Sequence, residues 1–128
     1  MDPATWAKFA TAARWILTAE LFLGGQARLT GFLTPSIHER AMAKAPGYLK
    51  YLSFIPARTA REHTIVIGAA MCLAGGLLCF SHTRFQGALL SMSLSIAGIY
   101  SQYRMDISYL VPCINTVLGA ASAYPFTQ

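Results

Sequence analysis

Glu20 and Asn115 are the residues whose types and positions best suit chemistry, because each is a polar residue within an otherwise apolar stretch. An ionisable group at the depth of a lipid bilayer is costly, so it normally faces a protein interior and often marks a functional site. A carboxyl group in a dry pocket can protonate or deprotonate a ligand near neutral pH. We therefore predict that Glu20 and Asn115 form a catalytic pair, suited to isomerisation, cyclisation or epoxide opening.

A purely structural role for the pair is the alternative. Asn115 could donate to the carboxylate of Glu20 or accept from the neutral acid, and such a hydrogen bond between helices contributes only ~0.6 to 2 kcal/mol. The sequence does not decide between the catalytic and the structural role. It therefore leaves open whether the chain is an enzyme.

Six further polar residues are predicted to bind the substrate around this pair. On helices drawn at about 100° per residue, one face of each helix carries small and polar side chains and the opposite face carries bulky apolar ones. An amide would orient the ligand, and an arginine would meet its polar head. The predicted substrate-binding residues are Gln102, Arg28, Arg61, Ser95, Ser108 and Tyr109.

The elements that position these residues are predicted to be transmembrane helices. Of the 128 residues, 55% are hydrophobic and 12% are charged, whereas a soluble domain carries about 25% charged residues. No charged residue lies between His63 and His82, and about 18 residues at roughly 1.5 Å each match a hydrocarbon core of about 30 Å. Spans are predicted at residues 11–31, 63–82, 84–102 and 107–124.

These spans predict an all-α fold, a four-helix transmembrane bundle that forms one domain over residues 1–128. Short turns after the second and third spans would make neighbouring helices antiparallel. Residues 32–60 are predicted to form one long first loop. Within this loop, Ser36 could cap a short surface helix, with Glu39 three residues later completing a capping box.

The net charge of +5 is attributed to membrane orientation rather than to nucleic-acid binding, because the basic residues form no tract interleaved with aromatic residues. Most of them lie in loop 32–60 or at the span ends on the same side. The positive-inside tendency then places this loop in the cytoplasm. The chain is thus predicted to be a multi-pass integral membrane protein surrounded by the lipid bilayer, in an organelle that the sequence does not identify.

Common cofactor and metal motifs are missing from the sequence, which contains no GxxxxGK, GxGxxG, CxxC or HExxH. His38, His63 and His82 do not share the interior of a span, which argues against a haem held by two histidines. Glu20 lacks a second carboxylate or imidazole at its depth. No metal and no cofactor are therefore predicted.

The first predicted helix resembles that of DoxX-like membrane proteins, in which an arginine opens the helix and a Gly-x-x-Lys/Arg-Leu ending closes it. The matching stretch is RWILTAELFLGGQARL, with Gly25, Arg28 and Leu29 at its end. IGAAMCLAGGLLCF is similar to the second helix of the family. The resemblance implies a four-helix bundle associated with membrane redox complexes and quinols.

The leading functional hypothesis is a small integral membrane protein that binds a lipophilic small molecule in its bundle, with acid–base catalysis through Glu20. One alternative is a non-enzymatic assembly factor that holds another membrane protein, and a second copy of this chain is also a possible partner. The other alternative is an accessory subunit of a quinol-linked membrane redox complex. The sequence does not name the substrate.

Overall fold

Five α-helices make up the part of the chain that the computed structural model describes, residues 2–123. They are α1 (Pro3–Leu29), α2 (Pro35–Tyr51), α3 (Ala60–Leu78), α4 (Arg84–Arg104) and α5 (Leu110–Ala123). Within these residues there is no β-strand, so the prediction of an all-α fold is confirmed. The predicted number of four helices is wrong, because the first loop contains a helix of its own.

The helix ends follow from capping side chains. Asp2 accepts a hydrogen bond from the amide of Thr5 at 2.8 Å, and Pro3 occupies the first turn, where its missing N–H leaves no hydrogen bond unmade. The resulting α1 begins eight residues before the predicted start at residue 11. At α3, the hydroxyl of Thr59 accepts from the amide of Glu62 at 3.1 Å.

The prediction of membrane-spanning helices is wrong. Among the described helices, none combines the length and the apolar character that a bilayer crossing requires. In α3 the first turn contains Arg61 and Glu62, and the uncharged stretch from Thr64 to Leu78 measures about 22 Å at ~1.5 Å per residue, against ~30 Å of hydrocarbon. The 14 residues of α5 reach only about 21 Å.

This finding overturns the prediction of a multi-pass integral membrane protein and the placement of loop 32–60 in the cytoplasm. The three functional hypotheses are a ligand-binding transmembrane protein, an assembly factor for a membrane protein and a subunit of a membrane redox complex. Each one requires a membrane-spanning bundle, so all three are wrong as stated. The predicted span 107–124 is also too long, since α5 begins at Leu110. Its predicted last residue, Tyr124, lies outside the described residues.

Residues 32–60, predicted as a loop, contain the 17-residue helix α2. The helix begins at Pro35 and continues through Pro46, so it extends well beyond the short surface helix expected to start at Ser36. Its N-cap residue is Thr34, whose hydroxyl accepts from Gln26 Nε2 at 2.6 Å instead of capping the helix. The predicted capping box of Ser36 and Glu39 is therefore wrong.

The first and third helices touch backbone to backbone at Gly25 and Gly68. A Cβ atom on Gly25 would lie 2.9 Å from the carbonyl oxygen of Gly68, and one on Gly68 would lie 2.8 Å from the carbonyl oxygen of Gly25. These distances are shorter than real Cβ contacts, so only glycine fits on both sides. This crossing fixes which face of α1 points into the bundle.

Small and polar residues fill the interior, and many bulky apolar residues lie outside. Leu17, Leu21, Ala74, Leu78 and Ala88 form the apolar core between α1, α3 and α4. The buried polar side chains include those of Thr18, His63, Thr64, Ser91, Ser95, Ser101, Gln102 and Ser122. The small and polar helix faces read from the sequence are thus the buried ones.

The glycine crossing predicts opposite effects for two alanine substitutions in α3. Gly68→Ala should lower the free energy of unfolding by ~1–3 kcal/mol, because the added methyl group overpacks the crossing. Gly76→Ala is the matched control, because a Cβ there meets no atom within 4 Å. It should raise the free energy of unfolding by ~0.5–1 kcal/mol through the higher helix propensity of alanine. Urea unfolding followed by circular dichroism measures the free energy of unfolding of both variants. If Gly68→Ala and Gly76→Ala change it equally, the close contact at Gly68 is contradicted.

Candidate functional site

A partly open cavity of about 290 Å³ lies between the helices, and all five helices contribute to its wall. Most of the wall is apolar, with Leu21, Ile37, Leu52, Ile67, Met71 and Leu94 among the lining side chains. Its volume lies at the lower end of the ~300–1,000 Å³ that is usual for small-molecule sites. A mainly apolar wall with a few polar groups is the usual composition of such a site.

Five of the eight predicted site residues line this cavity. They come from three helices and are Glu20, Arg28, Ser95, Gln102 and Asn115. The helical arrangement therefore brings together side chains that lie up to 95 positions apart in sequence (115 − 20 = 95). The catalytic role predicted for Glu20 and Asn115 stays a prediction.

The other three predicted residues lie elsewhere. Arg61 is exposed in the first turn of α3. Ser108 is exposed between α4 and α5, where its hydroxyl accepts from the amide of Leu110 at 3.4 Å. Tyr109 is also exposed, and its ring meets that of Tyr103 edge to face at 6.0 Å. Ser108 and Tyr109 were placed inside the span predicted for residues 107–124, whereas α5 begins only at Leu110.

Glu20 and Asn115 line the cavity, and each has one oxygen that is buried out of contact with water. Within residues 2–123, neither Glu20 Oε2 nor Asn115 Oδ1 has a hydrogen-bond partner. Burial raises the pKa of the Glu20 carboxyl, because the charged form loses hydration. The two side chains therefore face the same cavity without satisfying these oxygens through each other.

Arg28, Tyr48 and Gln102 form a second polar group in the cavity wall. Arg28 Nη1 donates to the carbonyl of Gly24 at 3.1 Å, and its guanidinium carbon lies 6.0 Å from the centre of the Tyr48 ring. Gln102 Nε2 donates to the hydroxyl of Tyr48 at 2.8 Å. Tyr48 and Gln102 are both buried, so α2 and α4 hold this hydrogen bond away from bulk water.

Tyr48 was not predicted as a site residue, because residues 32–60 were predicted to form a loop. A signal was present in the sequence: Ala41, Ala45, Tyr48 and Leu52 recur at helical spacing, and all four are buried. This spacing predicts a helix with one buried face. Pro46 favours a loop instead, because proline normally interrupts a helix interior.

Two histidines attach α2 to the rest of the bundle and leave no metal site. His38 Nδ1 lies 2.6 Å from the carbonyl oxygen of Ala27, and His63 Nε2 lies 2.9 Å from that of Leu52. Each carbonyl requires that the facing ring nitrogen donate. In the described part of the chain, no three His, Cys, Asp or Glu side chains are grouped so that they could hold a metal ion.

Comparison with known proteins gives no independent indication of function. No family pattern matches the chain, and neither a characterised protein nor a solved structure with significant similarity was found. The resemblance to DoxX-like proteins therefore stays a prediction.

Burial of Glu20 predicts a pH-dependent effect of Glu20→Gln. The folded state raises the pKa of this carboxyl. The contribution of Glu20 to the free energy of unfolding is therefore fully present below the unfolded-state pKa and is lost as pH rises through the folded-state pKa. At neutral pH the uncharged Glu20→Gln variant should therefore unfold with a higher free energy than the wild type. We expect less than about 1 kcal/mol, because the carboxyl is partly exposed.

Urea unfolding at neutral pH and at about pH 4, near the unperturbed glutamate pKa, measures this effect. The difference between Glu20→Gln and wild type should shrink at the lower pH. Glu39→Gln on the exposed surface of α2 is the control and should show no such gain. A difference that does not change with pH would contradict the assignment to burial of the charge.

Proposed function

We propose that this protein binds a small organic molecule in the cavity, with an apolar body against the helix side chains and a hydrogen-bond donor on Glu20 and Asn115. The presence of a carboxyl and an amide side chain in a mainly apolar cavity wall carries this proposal. A few polar groups in an apolar wall fix the orientation of a bound molecule. One oxygen of each side chain is buried without a partner, so a small rotation of either side chain towards a ligand donor would gain a hydrogen bond of ~1 kcal/mol.

The size of the cavity limits the size of the ligand. A water molecule takes up ~30 Å³ in the liquid, so about 290 Å³ accommodates on the order of ten non-hydrogen atoms. Ile67, Met71 and Leu94 line the cavity, and their apolar surfaces favour a hydrocarbon body. Among ligands of equal size, Glu20 and Asn115 then favour those whose polar group donates a hydrogen bond.

The purely structural alternative fits these atoms less well. The structural role requires a hydrogen bond between the two side chains, either from the Asn115 amide to the carboxyl or from a protonated carboxyl to the Asn115 carbonyl. Within the described residues neither bond is present, and Glu20 Oε2 and Asn115 Oδ1 are both without a partner. A molecule that brings its own donor satisfies either oxygen in either protonation state.

Two isomeric probes test the donor requirement directly. Octanol and methyl heptyl ether contain the same atoms, but only the alcohol has a hydrogen-bond donor. Calorimetric titration of the purified protein should give octanol an affinity about five- to tenfold higher, corresponding to one hydrogen bond of ~1–1.4 kcal/mol. Asn115→Leu should reduce this preference and leave ether binding unchanged.

A cavity-filling variant tests the location. Gly98 lines the cavity, and a Cβ atom there would approach only Pro112, at 3.4 Å. Gly98→Leu should therefore lower the affinity for both probes at least about tenfold by occupying the space, which is worth ~1.4 kcal/mol. Gly76→Leu, on the open side of α3, is the control and should bind both probes like the wild type. Equal binding by the two variants would overturn the proposal.

A further inference from the structure

Arg28, Tyr48 and Gln102, the second polar group of the cavity, indicate what chemical group the ligand carries at the end that does not contact Glu20. This inference rests on the proposed function. Arg28 lines the same cavity as Glu20 and lies eight residues later on α1. Its one hydrogen bond among the described residues goes to the carbonyl of Gly24. A guanidinium has five N–H donors, so most of its capacity remains for a ligand.

The charge of Arg28 is not neutralised by the cavity wall. Of the five acidic residues in the chain, only Glu20 lines the cavity. Side chains three or four positions apart on a helix can pair, whereas eight positions separate the two Cα atoms by ~12 Å. The cavity therefore holds one anionic and one cationic group that lie too far apart to form an ion pair.

The neighbours of Arg28 favour a planar anion. Tyr48 places its ring beside the guanidinium, and the Gln102 amide fixes the Tyr48 hydroxyl by donating to it. The hydroxyl thus keeps its own proton available for a further acceptor. Arginine binds carboxylates through two parallel N–H···O hydrogen bonds, and a single arginine matches a single negative charge.

The distance between the two ends sets the length of the ligand. Both side chains lean towards the N-terminus of α1, so their polar heads stay on the order of 10 Å apart. A carbon chain advances by somewhat less than the ~1.5 Å of each bond, so about eight carbons bridge this distance. Such a chain with a polar group at each end has about the number of non-hydrogen atoms that the cavity accommodates.

We infer that the ligand is a medium-chain carboxylate with a donor at its far end: the carboxylate binds Arg28 and Tyr48, and a hydroxyl or ammonium group binds Glu20 and Asn115. The apolar wall around Met71, Ile67 and Leu94 contacts the methylene groups between the two ends. A fatty acid without a terminal donor satisfies only one end, and an alcohol without a carboxylate satisfies only the other.

Calorimetric titration with ω-hydroxyoctanoate, ω-aminooctanoate, octanoate and octanol tests the two-ended ligand. Whichever of ω-hydroxyoctanoate and ω-aminooctanoate binds more tightly should bind at least about tenfold more tightly than octanol, which corresponds to ~1.4 kcal/mol from the carboxylate. Arg28→Met keeps the aliphatic stem and should remove this gain, so that the carboxylate and octanol bind the variant with similar affinities. Arg61→Met removes an exposed cation outside the cavity and should change neither affinity.

A chain-length series on the wild-type protein gives a second readout that needs no variant. ω-Hydroxybutanoate is too short to reach both ends, and ω-hydroxydodecanoate exceeds the cavity, so affinity should peak near the octanoate. Affinity that rises steadily with chain length would overturn the inference, as would a carboxylate gain that survives Arg28→Met. If octanol binds but no carboxylate binds more tightly, this inference fails alone. If no probe binds, octanol included, the proposed function fails as well.

Discussion

The close contact of α1 with α3 at Gly25 and Gly68 is the constraint on which the rest of the structure depends. Because each glycine would place a Cβ against the other's carbonyl oxygen, the two backbones meet in only one rotational setting. That setting points Glu20, Gly24 and Arg28 towards the cavity. A rotation of α1 by one residue would turn these side chains away by about 100° and remove Glu20 and Arg28 from the cavity together.

The second helix completes the site that this contact begins. Without α2, the cavity would lose Ile37, Tyr48 and Leu52 from its wall. Carbonyl contacts with His38 and His63 and the hydrogen bond between Gln102 and Tyr48 attach α2 to three other helices. Each net hydrogen bond contributes only ~0.5–1.5 kcal/mol, so α2 depends on several together. The element that closes the cavity is therefore held by polar contacts as well as by packing.

The sequence predicts which residues are buried better than it predicts where the helices begin and end. The helical spacing of Gly87, Ser91 and Ser95 places them inside, and all three are buried. The same apolar composition suggested bilayer spans, but α3 ends at Leu78, where the pattern continued to residue 82. The span predicted for residues 107–124 places Pro112 in a helix interior; because α5 begins at Leu110, this proline lies in the first turn, where it is tolerated. Helix ends depend on local capping and turn geometry, which residue composition does not determine.

The arrangement of Glu20, Gly24 and Arg28 explains how one helix face can offer two opposite charges without neutralising them. At a spacing of four residues the two side chains would form an ion pair and leave nothing for a ligand. At eight residues the intervening position lies between them, and a side chain there would fill the space. At Gly24 a Cβ would lie 2.8 Å from Met71 Cε and 3.3 Å from Arg28 Nη1, so a larger residue would push both side chains away from α1. The glycine thus allows the Arg28 guanidinium and an apolar side chain to lie against the helix between the two charged positions.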